Sequence, residues 1–70
     1  MRRLQAEREA RRLSKSKLAR LADLNPATIT WAEARGFELY PSQLLKVARA
    51  LGWPEDRAAE LLEEVSDDTK

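Results

Sequence analysis

The sequence contains no cysteine and no histidine. Without cysteine the chain has neither disulfides nor a thiolate metal site, and without histidine it lacks the commonest zinc ligand and general base. It also has only two glycines, which leaves no glycine-rich phosphate-binding loop. We therefore predict that the protein is not an enzyme and that it has no catalytic residues, metal site, cofactor or small-molecule ligand.

Long hydrophobic runs are missing as well. No apolar stretch approaches the ~20 residues that span a bilayer, and the basic N-terminal residues are not followed by the apolar segment of a signal peptide. These features predict a cytoplasmic protein without a membrane partner. Met1 and the polar C-terminal residues favour a complete small protein.

The 70 residues are 43% hydrophobic and 36% charged, and they are rich in Ala, Leu, Arg and Glu. These residue types favour helices. A chain of this length forms one domain and buries only about 60% of the surface that its unfolded state exposes. Because neither disulfides nor metal can contribute, we expect apolar packing alone to hold the fold.

The net charge of +1 conceals an asymmetry between the two halves of the chain. Residues 1–36 hold nine basic and four acidic side chains, a net charge of +5. Residues 37–70 hold four basic and eight acidic side chains, a net charge of −4. A strongly basic half indicates an anionic partner, although helix faces that differ in sign for no functional reason would give the same counts.

Caps and helix breakers divide the chain into five predicted helices. Ser14 and Asn25 are suited to cap helix N-termini, and Pro26 follows at a first helical position. The predicted helices span about residues 2–12, 15–22, 26–34, 41 or 42 to 51, and 54–65, with a loop at 36–41. We predict an all-α domain over residues 1–65 and a frayed polar tail over residues 66–70.

Apolar spacing assigns an interior face to these elements. The side chains expected to pack inward are Leu18, Leu21 and Ala22 of the second helix, Phe37, Leu39 and Tyr40 of the loop, and Trp53. Glu33 is expected to make a structural hydrogen bond or ion pair near the loop. In the fifth helix, Leu61, Leu62 and Val65 exceed what one small core covers, which favours a homodimer.

The second and third helices have the features of a helix-turn-helix, in which two helices cross closely after a short turn. Ala19 provides the small residue that a close crossing needs. Asp23 stands in the turn, where a residue that tolerates positive φ is required. The apolar residues that lock such a pair together are present as Leu18, Leu24, Ile29 and Ala32.

The segment SKSKLARLADLNPATITWAEARG resembles the helix-turn-helix of the phage-repressor family, also called Xre or lambda-repressor-like. The preceding EARRLS and the later PSQLLKVARALG fit the same family, so the resemblance covers about residues 2–62. It implies a compact five-helix domain that binds double-stranded DNA as a sequence-specific transcriptional regulator, a repressor. Members commonly bind as dimers, with two recognition helices one turn of DNA apart.

In this family the third helix, here about residues 25–34, lies in the major groove. The resemblance implies that the base-facing residues are Pro26, Ala27, Thr30 and Trp31. It implies that the phosphate contacts come from Arg11, Arg12, Lys15, Lys17, Asn25 and Arg35.

The chain departs from the family at two kinds of position. Arg12 and Asp23 stand where the family tends to have glycine. The base-facing residues also lack the Gln, Arg, Asn or Ser with which members usually read bases. Specificity then depends on Arg, Lys and DNA shape, or the surface binds protein instead, as in an adaptor or an antitoxin-like partner. Trp31 has three open interpretations: a DNA-facing side chain, an anchor in a protein interface, or a core residue on a rotated helix.

Overall fold

The computed structural model describes residues 1–34 and 36–65. The phosphate contact predicted for Arg35 and the frayed tail predicted for residues 66–70 lie outside the described residues. Within the described part of the chain, the helices are α1 (Arg3–Ala10), α2 (Lys15–Ala22), α3 (Pro26–Ala34), α4 (Pro41–Leu51) and a 3₁₀ helix (Glu55–Leu62). These residues form no strand, only an antiparallel bridge between Arg2 and Glu64. The prediction of an all-α, five-helix domain is confirmed.

Side-chain caps start α2 and α3 where the sequence predicts. The Ser14 hydroxyl accepts a hydrogen bond from the Lys17 amide at 3.0 Å, and Asn25 Oδ1 accepts one from the Ala27 amide at 2.8 Å. Each cap satisfies a backbone N–H that has no partner inside its own helix. The bounds of both helices therefore agree with the prediction.

Left-handed residues end three of the helices. Arg12, Asp23 and Gly52 have φ values of 57°, 58° and 71°, and after each one a backbone N–H bonds back into the helix, as from Leu13 to the Arg8 carbonyl at 3.1 Å. This pattern closes a helix by satisfying its last carbonyls. The prediction that the first helix runs from about residue 2 to residue 12 is therefore wrong at its C-terminal end, since α1 stops at Ala10 and Arg12 has left the helical region.

Each of the five helices contributes one large, fully buried side chain to a single core: Leu4, Leu18, Ile29, Val47 and Leu61. Leu62 packs against this core and Val65 is half-buried. Of the three residues that suggested a dimer, Leu61 is thus fully covered within one chain and the other two are partly covered. The inward orientation predicted for Leu21 is wrong: it is 51% exposed, because it lies one turn after Lys17 on the outer face of α2.

The fifth helix is shorter and tighter than predicted. It ends at Leu62, and at Arg57 (φ −117°, ψ 18°) its backbone leaves the helical region. The Trp53 indole donates to the Arg57 carbonyl at 3.0 Å, which occupies an acceptor that a regular helix would use. Residues 63–65 are paired with the N-terminus, through bonds from Arg3 to the Glu63 carbonyl and from Val65 to the Met1 carbonyl, both 2.7 Å.

The loop between α3 and α4 is only partly as predicted. Leu39 is buried and Phe37 packs against the core, but Tyr40 is 65% exposed. The buried Arg2 guanidinium holds the loop, donating to the Gly36 and Phe37 carbonyls and to the Glu38 carboxylate at 3.1, 2.9 and 2.8 Å.

Among the described residues, none of the helices has the length and apolar character that a membrane-spanning segment requires.

Candidate nucleic-acid interface

A buried ion pair sets the position of α3. The Glu33 side chain is 1% exposed and accepts from Arg8 Nε at 2.8 Å and from Arg8 Nη2 at 3.0 Å. The hydrogen bond that Arg8 donates to Glu33 raises the pKa of Arg8 above its usual value, although burial opposes this shift. Arg8 Nη1 also donates to the Leu13 carbonyl at 2.7 Å. One side chain of α1 thus ties α3 to the residues that precede α2.

The ion pair predicted for Glu33 is confirmed, but its partner was missed. Arg8 lies one helical turn after the fully buried Leu4, on the inner face of α1. A charge on a buried face requires a partner of opposite sign. The four-residue spacing between Leu4 and Arg8 is the feature of the sequence that identifies Arg8 as the buried partner of Glu33.

The outer face of α3 is formed by side chains at i, i+3, i+4 and i+7: Ala27, Thr30, Trp31 and Ala34. Ile29 and Ala32 are completely buried on the opposite side. Pro26 is exposed at the first position of the helix. The four residues predicted to face bases therefore all lie on the solvent side or at the exposed N-terminus of α3, together with Ala34, which the prediction omitted.

Trp31 faces solvent at the edge of this surface and is 45% exposed. Its ring contacts Phe37 edge to face, with centroids 6.5 Å apart, and Phe37 contacts Tyr40 in the same way at 6.5 Å. Such contacts stabilise aromatic pairs and hold their orientation. The interpretation of Trp31 as a core residue is wrong, because α3 turns Ile29 and Ala32, and not Trp31, toward the core.

The outer face of α3 is apolar. The one ionisable side chain of Pro26–Ala34 is Glu33, whose carboxylate is buried against Arg8. The Thr30 hydroxyl donates to the Pro26 carbonyl at 3.2 Å, so its single donor is used within the helix while its oxygen can still accept. What α3 presents outward is chiefly methyl groups, the Pro26 ring and the Trp31 ring.

The basic side chains divide into paired and unpaired groups. Ion pairs join Arg2 to Glu38, Arg8 to Glu33, Arg11 to Glu7, Arg49 to Glu55, and Arg57 to Glu60. Within the described residues, no carboxylate lies within 4 Å of six other basic side chains. Two of them are Arg3 and Lys46, and the other four, which we call the basic segment, are Arg12, Lys15, Lys17 and Arg20. Four unpaired cations in nine residues are a local excess of positive charge.

The basic segment contains three of the predicted phosphate contacts and one residue that was missed. Arg20 is exposed one turn after Lys17 on the outer face of α2, and this i, i+3 spacing was the available signal. Arg11, another predicted phosphate contact, forms an ion pair with the Glu7 carboxylate at 2.6 Å, which offsets its charge. Asn25 is exposed in the turn, with its Oδ1 engaged in capping α3.

Packing joins the basic segment and the outer face of α3 into one unit. Ala19 of α2 is completely buried, and α2 packs directly on α3. The connection between the two helices is only three residues long, 23–25. The charges of α2 and the apolar face of α3 therefore keep a fixed relative position.

We predict that Arg12→Gly stabilises the fold. Arg12 is exposed with φ 57°, a conformation that strains residues with a Cβ. Glycine relieves this strain but loses more backbone entropy on folding. The expected net gain is about 0.5–1 kcal/mol, measured by thermal unfolding. The matched control Ala10→Gly, two residues earlier inside α1, should destabilise by a similar amount, and equal losses in both variants would contradict the prediction.

No group of three or more acidic residues in the described ranges is arranged to hold a metal ion. Comparisons with protein-family models, with curated proteins and with solved structures found no match for this chain. The functional interpretation therefore depends on the geometry of α2 and α3.

Proposed function

We propose that this protein is a sequence-specific DNA-binding transcriptional regulator that inserts α3 into the major groove of duplex DNA. The observation that carries the proposal is the basic segment, because its four cations lack acidic partners in the described structure while most other basic side chains are paired. Unpaired exposed cations suit phosphates, which supply most of the affinity of a protein for DNA.

The shape of the α2–α3 pair is consistent with this role. The major groove admits one α-helix, and α3 has an outer face free of ionised side chains. A negative charge on that face would be repelled by phosphates, and the only carboxylate of α3 is turned inward to Arg8. The arrangement leaves α3 compatible with a close approach to DNA.

The finer features of the proposal follow from this mode of binding. Two copies on a two-fold-related site would place two α3 helices one helical turn of DNA apart. A protein that occupies a promoter in this way blocks transcription, so we propose a repressor. We also propose a cytoplasmic location, because a DNA-binding regulator works in the cytoplasm of a cell whose DNA lies there.

A salt titration tests the proposal. The affinity for a fluorescein-labelled, mixed-sequence 20-base-pair duplex is measured by fluorescence anisotropy from ~50 to ~300 mM salt. If about four phosphates are neutralised per subunit, log K should fall against log salt with a slope of roughly −3 to −4 per subunit. Absence of binding at ~50 mM salt would contradict the proposal, because non-specific affinity is already measurable there.

A protein-interaction module is the second candidate. The observation that favours it is the row of Trp31, Phe37 and Tyr40 beside the apolar face of α3, since aromatic side chains are enriched at protein interfaces. The two outer rings of this row are exposed, and the middle one is half-buried. Under this alternative the duplex is not bound at any salt concentration. The same titration therefore separates the two candidates.

A further inference from the structure

We propose that α3 recognises DNA through the C5-methyl groups of thymine, so that the base pairs under α3 are rich in thymine. This inference depends on the DNA-binding function proposed above and specifies the chemistry by which that function selects a sequence. It is carried by the composition and orientation of the outer face of α3.

The outer face of α3 lacks the groups that read the other bases. Guanine is read in the major groove by Arg or Lys, adenine by Asn or Gln, and cytosine by Asp or Glu. Between Pro26 and Ala34 the only such residue is Glu33, and both of its oxygens accept hydrogen bonds from Arg8. No Arg, Lys, Asn, Gln or free carboxylate therefore lies on the outer face of α3, whose polar side-chain groups are the Thr30 hydroxyl and the Trp31 indole N–H.

The outer face of α3 presents mainly apolar groups. Ala27 and Ala34 each present a methyl group, seven residues apart on the same side of α3, and Thr30 lies between them. Because the Thr30 hydroxyl donates to the Pro26 carbonyl, the methyl group and the acceptor lone pairs are the parts of Thr30 left for contact. Thymine is the base with an apolar group in the major groove, and Ala and Thr methyl groups are known to match it.

Charge identifies DNA rather than an apolar protein surface as the occupant. The apolar face belongs to the same rigid α2–α3 unit as the three cations of the basic segment that lie on α2, and the fourth, Arg12, lies in the connection that precedes α2. The cations supply affinity without sequence preference, and the methyl groups supply the preference. Trp31, braced by Phe37 at 6.5 Å, adds a large apolar surface at the border of this face.

The test compares duplexes that differ only in the methyl group. One probe is an alternating dA–dT duplex of 20 base pairs, and the other is the same duplex with deoxyuridine in place of every thymidine. Deoxyuridine keeps the pairing and the O4 acceptor and loses only the C5-methyl. Burial of one methyl group changes affinity about fourfold, so the uridine duplex should bind roughly 10-fold or more weakly if two or three methyl groups are contacted.

Thr30→Ser and Thr28→Ser are matched variants on the same helix. Each loses one methyl group and keeps its hydroxyl, but Thr30 lies in the outer face and Thr28 lies outside the i, i+3, i+4, i+7 set. Thr30→Ser should reduce the preference for the thymine duplex by about fourfold. Thr28→Ser should leave that preference unchanged, and circular dichroism confirms that both variants fold.

The outcomes separate this inference from the function on which it depends. Equal, salt-sensitive affinity for the thymine and uridine duplexes would overturn the inference and leave the DNA-binding function intact. A thymine preference that persists unchanged in both Thr30→Ser and Trp31→Ala would also overturn it, because DNA deformability would then be the cause. No binding to either duplex at ~50 mM salt would overturn both and assign the apolar face to a protein partner.

Discussion

Replacing Glu33 by alanine is expected to lower the melting temperature by at least about 12 °C. The substitution leaves the Arg8 guanidinium, whose side chain is only 9% exposed, without its bidentate acceptor. Removing one member of a buried ion pair costs about 3–5 kcal/mol. A domain of this length has roughly 4–10 kcal/mol of total stability, and 1 kcal/mol corresponds to about 4–8 °C. Thermal unfolding followed by circular dichroism measures the effect.

Glu9→Ala is the matched control for this prediction. Glu9 also lies near the Arg8 guanidinium, at 3.6 Å, but its side chain is half exposed. Exposed pairs contribute at most about 1 kcal/mol, so this variant should melt within about 8 °C of the original chain. Equal losses in Glu9→Ala and Glu33→Ala would contradict the assignment of stability to the buried pair.

The double variant Arg8→Met/Glu33→Leu distinguishes a missing charge partner from a damaged core. Replacing both members by apolar residues of similar size removes the unpaired charge, and such replacements are often neutral or stabilising. We expect the double variant to recover most of the stability lost in Glu33→Ala. A double variant as unstable as the single one would show that packing around Glu33, rather than its charge, supports α3.

Neutralising the basic segment is expected to weaken DNA binding roughly 100- to 1,000-fold. In Arg12→Gln/Lys17→Gln/Arg20→Gln, three exposed cations without carboxylate partners in the described structure are lost. Through counterion release, each charged contact to a phosphate contributes roughly eightfold in affinity at ~0.1 M salt, or about 500-fold for three contacts. Each removal should make the salt slope shallower by about 1. The loss should be similar for all DNA sequences, since phosphates are common to them. Anisotropy titrations at several salt concentrations measure both quantities.

A second triple variant distinguishes the effect of positive charge on the basic segment from the effect of the net charge of the protein on DNA affinity. Lys46→Gln/Arg49→Gln/Arg57→Gln removes the same number of positive charges from exposed positions on α4 and the 3₁₀ helix. Arg49 and Arg57 are paired with Glu55 and Glu60, so these carboxylates already offset their charge. We expect less than about a threefold loss of affinity, and an equal loss in the two triple variants would contradict a DNA surface centred on α2 and α3.

Local sequence predicted the α2–α3 pair well. The bounds of both helices, the caps at Ser14 and Asn25, and the left-handed turn at Asp23 agree with the structure. These features depend on groups within three or four residues of one another, so neighbouring residues suffice to decide them. The composition of the outer face of α3 was readable for the same reason, because helical spacing assigns residues to faces.

Predictions that depended on distant partners were less accurate. The sequence could not show that residues 63–65 pair with the N-terminus, which ends the fifth helix before Val65. It also did not reveal that Arg2 holds the loop at 36–38, more than 30 residues away. Apolar spacing placed Leu21 inward with Leu18, but packing against the other helices leaves Leu21 on the exposed side of α2 with Lys17.

The sequence by itself determined an all-α chain with two well-capped central helices, a basic first half and a third helix without outward charge. The tertiary structure decided which cations are paired and which are free of partners in the described residues, because carboxylates from other elements reach only some of them. It also decided that Trp31 faces solvent, because the Arg8–Glu33 pair and the burial of Ile29 together fix the rotation of α3. Helical periodicity determines which residues share a face, but only packing against the other helices determines which face is buried.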